Sequence, residues 1–307
     1  MISKAKSITH EHLLSIIRTE ASRFFHRHTV RILDVGCGDG SLIGYLTGTL
    51  EVFNPSITFE IYGFDVYDHG VQQDDFLTKT IDDLSLKFPA VAWKTRITSI
   101  SVRERWPFPD EFFDIIISNQ VVEHIDDHNM FFFEINRTLR KNGYSVHLFP
   151  LKNYIYETHL NLPFVHKIKN YDILIKYIKF FSRLGLGKYK SHSSESGISL
   201  DEYAERHADY MHYFTNYISY NEALKLAKKH RLRISFRYTL ELYIRKFTTM
   251  LSLNPKYEYE KKRSIFIDWL SLLVLKYISI VTLFLEKNKL TGKNEGASPQ
   301  PLRQSWC

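Results

Sequence analysis

The chain has 307 residues, of which 44% are hydrophobic and 24% charged, with a formal net charge of +7. That length accommodates one large domain with a full hydrophobic core and room for an insertion. Two cysteines, Cys37 and Cys307, supply neither a disulfide framework nor a zinc-ligand spacing, so a reducing compartment is the default and a stapled secreted module is excluded.

Charge is divided unevenly. Residues 1–150 carry 15 Lys plus Arg against 20 Asp plus Glu, whereas residues 151–307 carry 26 against 14. A net of minus five beside a net of plus twelve implies different partners for the two halves. The basic half suits an anionic or phosphate-carried small molecule, or an acidic membrane surface. No nucleic-acid-binding module occurs, and nucleic acid is not an expected partner.

The N-terminal segment lacks the continuous apolar stretch of a signal peptide. Its Leu13, Leu14, Ile16, Ile17 and Phe24 recur at helical spacing, which predicts an amphipathic helix and a cytoplasmic protein. Arg31 to Val35 then reads as a buried strand, followed by a turn holding Gly36, Gly38 and Gly40 and by a helix opening at Ser41. A strand, a glycine turn and a helix N-terminus form a ligand site in an open α/β sheet. The dinucleotide pattern G-x-G-x-x-G is not met, because Ser41 stands where the third glycine belongs. Asp34 and Asp39 flank the loop, and carboxylates beside a pyrophosphate are unfavourable. They suit a ligand cationic at this end, such as S-adenosylmethionine.

The run 58–68, TFEIYGFDVYD, places Asp65 at the end of a second strand, where a carboxylate can accept hydrogen bonds from both ribose hydroxyls. That feature fits NAD as well. Phe113–Ser118 reads as a buried strand with Asn119–His124 as the loop above it. With ILDVGCGDG (32–40), YGFDVYD (62–68) and WPFPDEFFDIIISNQVVEHIDD (106–127), the chain resembles class I S-adenosylmethionine-dependent methyltransferases of the small-molecule branch. The resemblance implies a doubly wound, mostly parallel α/β sheet of seven strands. It implies cofactor contacts from Asp34, Gly36, Cys37, Gly38, Gly40, Asp65, Val66 and Asn119. Where the family commonly has an acidic residue for the adenine amino group, residues 94–108 offer Thr98 and Ser99, and Thr98 is taken as that contact. His124, beside Glu123, is the candidate general base, with a packing role as the alternative.

A helix over about 128–140, the turn KNG and a strand over 144–150 follow. His147 on that strand reads as a core or pocket-rim histidine. From Leu151 to Tyr217 the alternation of strand and helix stops. A long aromatic and basic insertion at the carboxyl edge of the sheet is a candidate helical substrate lid, with 191–197 as a mobile loop. Within it Tyr154, Glu157, His159 and His166 are candidate acceptor contacts, because histidine, carboxylate and aromatic rings suit a sugar. The stretch is also similar, more weakly, to methyltransferases of bacterial cell-surface polysaccharide pathways. A helix-packing face is the competing reading.

A helix at about 220–230 and a strand at about 232–238 resume the sheet. The apolar run 265–287 is interrupted by Asp268 and Lys276, which leaves no uncharged stretch of roughly 18 residues for a transmembrane span. It reads as a helix (265–276) and a final strand (278–285), with a membrane-surface helix as the alternative and peripheral contact at the inner membrane surface its consequence. The expected organisation is a cofactor-binding part (1–150), an inserted lid (151–217), a part completing the sheet (218–290) and a disordered tail (291–307). The expected activity is O-methylation of a small hydroxylated acceptor such as a sugar or carrier-linked saccharide. The alternatives are a quinone or lipid acceptor, a non-catalytic binding protein of the same fold, and an NAD-dependent oxidoreductase.

Overall fold

A computed structural model describes residues 4–68, 75–253, 258–260 and 264–287. The tail 291–307, with Cys307, lies outside the described residues. Helix α1 (Ile8–Glu20) starts at Ser7, whose hydroxyl accepts from the His10 N–H, and leads into β1 (Thr29–Val35). Then come α2 (Ser41–Phe53), β2 (Thr58–Val66), α3 (Phe76–Lys87), β3 (Ile97–Ile100), β4 (Phe113–Asn119), α4 (His128–Thr138) and β5 (Leu139–Pro150). The remaining elements are the hairpin β6 (Tyr156–Glu157) and β7 (Leu162–Pro163), helices α5 (Tyr171–Arg183), α6 (Tyr189–Ser196), α7 (Leu200–Tyr213) and α8 (Tyr220–Lys229), β8 (Leu232–Ser235), α9 (Thr239–Met250), α10 (Ile265–Leu275) and β9 (Ile280–Lys287).

The seven-stranded sheet runs β3-β2-β1-β4-β5-β9-β8, and β9 runs opposite to the other six strands. This is the doubly wound, mostly parallel α/β sheet that the sequence predicts. Strand order reverses between β1 and β4, and every parallel strand there is covered on both faces, which explains why β4 is a nearly unbroken apolar run. Residues alternate between two cores with the period of a strand. Ile115 and Ile117 face the layer that includes α1, α2 and α9, while Ile116 faces the layer that includes α4 and α8.

Three local expectations are corrected. The turn expected at KNG is an irregularity inside a single long strand: Asn142 takes φ 67°, the pairing register shifts between Phe113 and Ile115, and Arg140 reaches Asp114 at 3.0 Å. The mobile loop expected at 191–197 is instead largely helix α6, closed by Gly197 in the left-handed conformation. The strand expected to reach residue 238 ends at Ser235, because Tyr238, at φ 71°, opens α9.

Residues 151–217 build a core of their own. Tyr154, Leu162, Leu174, Ile178, Tyr203 and Ala208 pack together there, apart from both cores of the sheet. This segment is tied to the loop after β4 by the Asn216 N–H on the Glu123 carbonyl (2.6 Å) and the Asn216 amide on the carbonyls of Ile125 and Asp126 (both 3.0 Å). No helix among the described residues is long and apolar enough to cross a membrane.

Candidate active site

The carboxyl ends of β1, β2, β3 and β4 surround a cavity of about 650 Å³, at the place where an open α/β sheet receives ligands. Its walls include Val35, Gly36 and Gly38 from the first turn, Phe64 to Val66 from β2, Ile100 and Val102 to Glu104 with Trp106, and Asn119 to Val121 with His124 above β4.

The glycine turn is held by the sheet itself. The N–H groups of Gly36 and Cys37 both donate to the Phe64 carbonyl, at 2.9 and 3.1 Å, and Gly38 N–H donates to Asp65 Oδ2 at 2.7 Å. Gly36 takes φ +68°, and a Cβ there would stand 2.5 Å from Val121 Cγ2, so both backbone and space demand glycine. Gly38, at φ +52°, has nothing within 4 Å of a Cβ position, so its face is open to the cavity.

Asp65 is buried and lines the cavity. Its Oδ1 accepts from the Val66 N–H at 2.8 Å, so the two backbone donors fix the plane of the carboxylate. A carboxylate at this place is of the type that accepts ribose hydroxyls. Asn119 adds a buried Oδ1 with no partner at the same cavity, an acceptor that a ligand N–H would satisfy. These features fit the expected cofactor, with a hydroxylated ribose at Asp65 and donor groups at Asn119.

Of the sequence-predicted cofactor residues, the structure brings Gly36, Gly38, Asp65, Val66 and Asn119 to the cavity wall. Asp34, Cys37, Gly40 and Thr98 lie outside that wall. Asp34 is buried behind the turn, where burial and then the charge of Asp65 push its carboxyl well above the ordinary range. Cys37 packs beneath Gly63, with burial pushing its thiol up, so it is a packing group. Gly40 caps α2 at φ +67° and abuts Leu84 and Thr80. Thr98 sits on β3 at the edge of the sheet, below the cavity. The wall at that end is formed further along, and it includes an acidic residue, Glu104, whose carboxylate accepts from the Ser101 N–H at 2.8 Å.

His124 lines the cavity. Its Nδ1 lies 2.7 Å from the Phe214 carbonyl, which can only accept, so Nδ1 carries the proton and Nε2 presents a lone pair. The Tyr210 hydroxyl donates to that Nε2 at 3.3 Å. Tyr210 comes from α7, inside the insertion, and also lines the cavity. Sequence reasoning missed it, since nothing marks one tyrosine of HADYMHYF among its neighbours.

Three of the four candidate acceptor residues are anchors of the insertion. Tyr154, Glu157 and His166 are buried away from the cavity. Glu157 takes the N–H groups of His159 and Leu160 and the hydroxyl of Tyr154, which is the work of a turn-holding carboxylate. His166 stacks on Tyr154 at 4.2 Å, and burial lowers its pKa to about 4. His159 is half-buried and not part of the cavity wall, but its ring lies 5.2 Å from that of Tyr210 and its Nδ1 meets Glu157 Oε1 at 2.6 Å. Burial opposes its protonation, yet the hydrogen bond and charge of Glu157 prevail and raise its pKa. His147 is a core histidine: it bonds Ser118 at 2.8 Å, and burial lowers its pKa to about 3.

Glu123 is turned into the protein, away from the His124 ring nitrogens, whose partners are Phe214 and Tyr210. Both of its carboxylate oxygens are buried without a hydrogen-bond partner, and burial raises its pKa to about 8.

A doubly wound sheet with a glycine turn, a ribose-suited carboxylate and a cavity at its switch point defines a nucleotide-cofactor domain. The model of the family described as methyltransferase domain matches residues 9–194, and the chain belongs to that family. An uncharacterized methyltransferase of Schizosaccharomyces pombe is 29% identical over 122 residues, a match spanning 38% of this chain and 39% of that protein. Among solved structures, the YcgJ protein from Bacillus subtilis has a TM-score of 0.45 at 16% identity, covering 92% of this chain and all of the other. Haemonchus contortus phosphoethanolamine N-methyltransferase 2, bound to phosphomonomethylethanolamine and S-adenosylhomocysteine, has a TM-score of 0.44 at 14% identity, covering 91% of this chain and 52% of its own. Likenesses at this level say nothing of the acceptor. S-adenosylmethionine as cofactor accords with the family.

Proposed function

We propose that the chain transfers the methyl group of S-adenosylmethionine to a hydroxyl of a small acceptor, a sugar or a saccharide carried on a phosphate. The observation that carries this reading is the His124–Tyr210 pair at the cavity wall. The cofactor, when bound, supplies a methyl group on a sulfonium, an electrophile that needs only a placed nucleophile.

His124 is set up to take the proton of that nucleophile. Its Nδ1–H is committed to the Phe214 carbonyl, so the proton released as the new C–O bond forms goes to Nε2. Tyr210, the present donor to Nε2, marks the spot the acceptor hydroxyl would take and orients it. Asp65, at the end of β2, and Asn119, at the end of β4, would hold the cofactor. Residues 151–217 act as the acceptor-side lid, a reading supported by Tyr210, with the excess of positive charge after residue 150 favouring an anionic acceptor.

The test combines calorimetry with transfer. S-adenosylhomocysteine should bind and NAD should not; the reverse would reassign the cavity. With methyl-labelled cofactor and saccharide, nucleotide-sugar, quinone, lipid and protein acceptors, label should appear in a saccharide. It should fall sharply in His124→Ala and less in Tyr210→Phe, with S-adenosylhomocysteine affinity kept. Label confined to quinone, lipid or protein would refute the acceptor class. Binding of S-adenosylhomocysteine without transfer to any class would favour a non-catalytic binding protein.

A further inference from the structure

Water orders a surface helix with its polar residues outward and its apolar stripe inward. Helix α10 is built the other way round. Its polar residues Asp268 and Ser271 are half-buried, beside the buried Leu272, whereas Ile265, Phe266, Trp269, Leu270 and Val274 are 86, 65, 53, 51 and 62% exposed. Helix α9, packed along it, adds Ile244, Phe247 and Met250 at 51, 57 and 72%. Single exposed apolar residues need no explanation, but two neighbouring helices presenting them together form a surface that requires an apolar partner.

Charge identifies which one. The C-terminal half carries the positive excess, and Lys276 stands at the end of α10, with its Nζ 5.0 Å from the centre of the Tyr277 ring. In the sequence, Lys261, Lys262 and Arg263 run directly into Ser264, the N-cap of α10. A second copy of the chain would bring like charges together at the rim of the contact. An apolar face with Lys276 at one end of its helix and a basic run next to the other end in the sequence, on a helix of about 16 Å by its residue count, matches an element lying in the plane of an anionic bilayer surface.

We propose that the α9–α10 face docks this protein onto anionic phospholipid, with the aromatic and aliphatic side chains of α10 among the acyl chain ends and Lys276 at the headgroup phosphates. The contact is one-sided and reversible, and it is independent of what the cavity binds.

Trp269 makes the test direct, because Trp93 and Trp106 are buried and the fourth tryptophan, Trp306, is changed to Phe in every protein used for emission. The full-length protein is mixed with vesicles of phosphatidylcholine alone, or of phosphatidylcholine with one third phosphatidylglycerol, and followed by co-sedimentation and tryptophan emission. Binding should be confined to the anionic vesicles, weaken as salt is raised, and shift emission to the blue, with the shift lost in Trp269→Phe. Phe266→Ser combined with Leu270→Ser should weaken binding on the order of tenfold or more, and reversal of Lys261, Lys262 and Arg263 to Glu should do likewise. Urea midpoints matching the parent protein show that these exposed substitutions leave the fold intact. Failure to bind anionic vesicles, or equal binding to neutral ones, overturns the proposal. So does a dimer in solution that Phe266→Ser dissociates, since a second copy would then cover the face.

Discussion

Glu123 is a carboxylate that the fold buries and leaves without a partner, and its replacement by glutamine tests that placement quantitatively. In the folded protein its pKa is raised to about 8 by burial, against 4.5 for the free side chain. Between those values the folded state holds a proton that the unfolded state has released, so stability falls as pH rises, by about 1.4 kcal/mol per pH unit. The contribution is whole below pH 4.5 and is lost by the time pH passes 8. Glutamine mimics the protonated form and carries no such slope.

Glu123→Gln should therefore be nearly neutral at pH 5, stabilising by at most about 3 kcal/mol at pH 7, and by at most about 5 kcal/mol above pH 8. Urea unfolding of both proteins at several pH values between 5 and 9 measures the difference directly. Parallel stability profiles for the two proteins would refute the reasoning, because they would mean that Glu123 is ionised and solvated in the folded state.

Asp65→Ala removes a carboxylate braced by two backbone donors at the cavity, and it should weaken S-adenosylhomocysteine by about 1.5–3 kcal/mol, the worth of hydrogen bonds to a charged group; calorimetry showing unchanged affinity would remove Asp65 from the site. Asn216→Ala cuts the two side-chain bonds from the insertion to the carbonyls of Ile125 and Asp126. Since Asn216 is exposed, stability should drop only about 1 kcal/mol while turnover falls and S-adenosylhomocysteine affinity holds; loss of cofactor affinity in step with turnover would contradict a separate acceptor side.

What was legible in the sequence was local in the chain. The glycine turn declares itself because Gly36, Gly38 and Gly40 must all take positive φ, and Asp65 because it ends a strand that pairs with β1. The sheet followed from apolar runs whose alternation matches two cores. Tyr210 was hidden because it lies 86 residues from His124 in sequence, on a helix whose spacing reports only which face is buried. Thr98 was misplaced for a related reason: β3 has only four residues, so the cavity wall is reached by the turn beyond it, where Glu104 sits. Glu157 and His166 looked like ligands for a sugar because the residue types that hold a hydroxyl also hold a backbone turn. Only burial distinguishes those uses.

The same hydrogen bonds that were invisible in the sequence explain how the insertion and the cofactor cavity act as one site. The insertion has its own core, so its helices do not depend on the sheet for their packing. It meets the loop after β4 through bonds to the carbonyls of Glu123, Ile125 and Asp126, and through the Phe214 carbonyl that sets the His124 tautomer. A displacement of residues 210–216 would therefore withdraw Tyr210 from the cavity and, in the same motion, take the Phe214 acceptor away from the Nδ1–H of His124. Under the proposed function, the tautomer that lets His124 accept a proton is held only while residues 210–216 are seated. Proton acceptance and closure over the acceptor would then, under the proposed function, be coupled by this geometry alone.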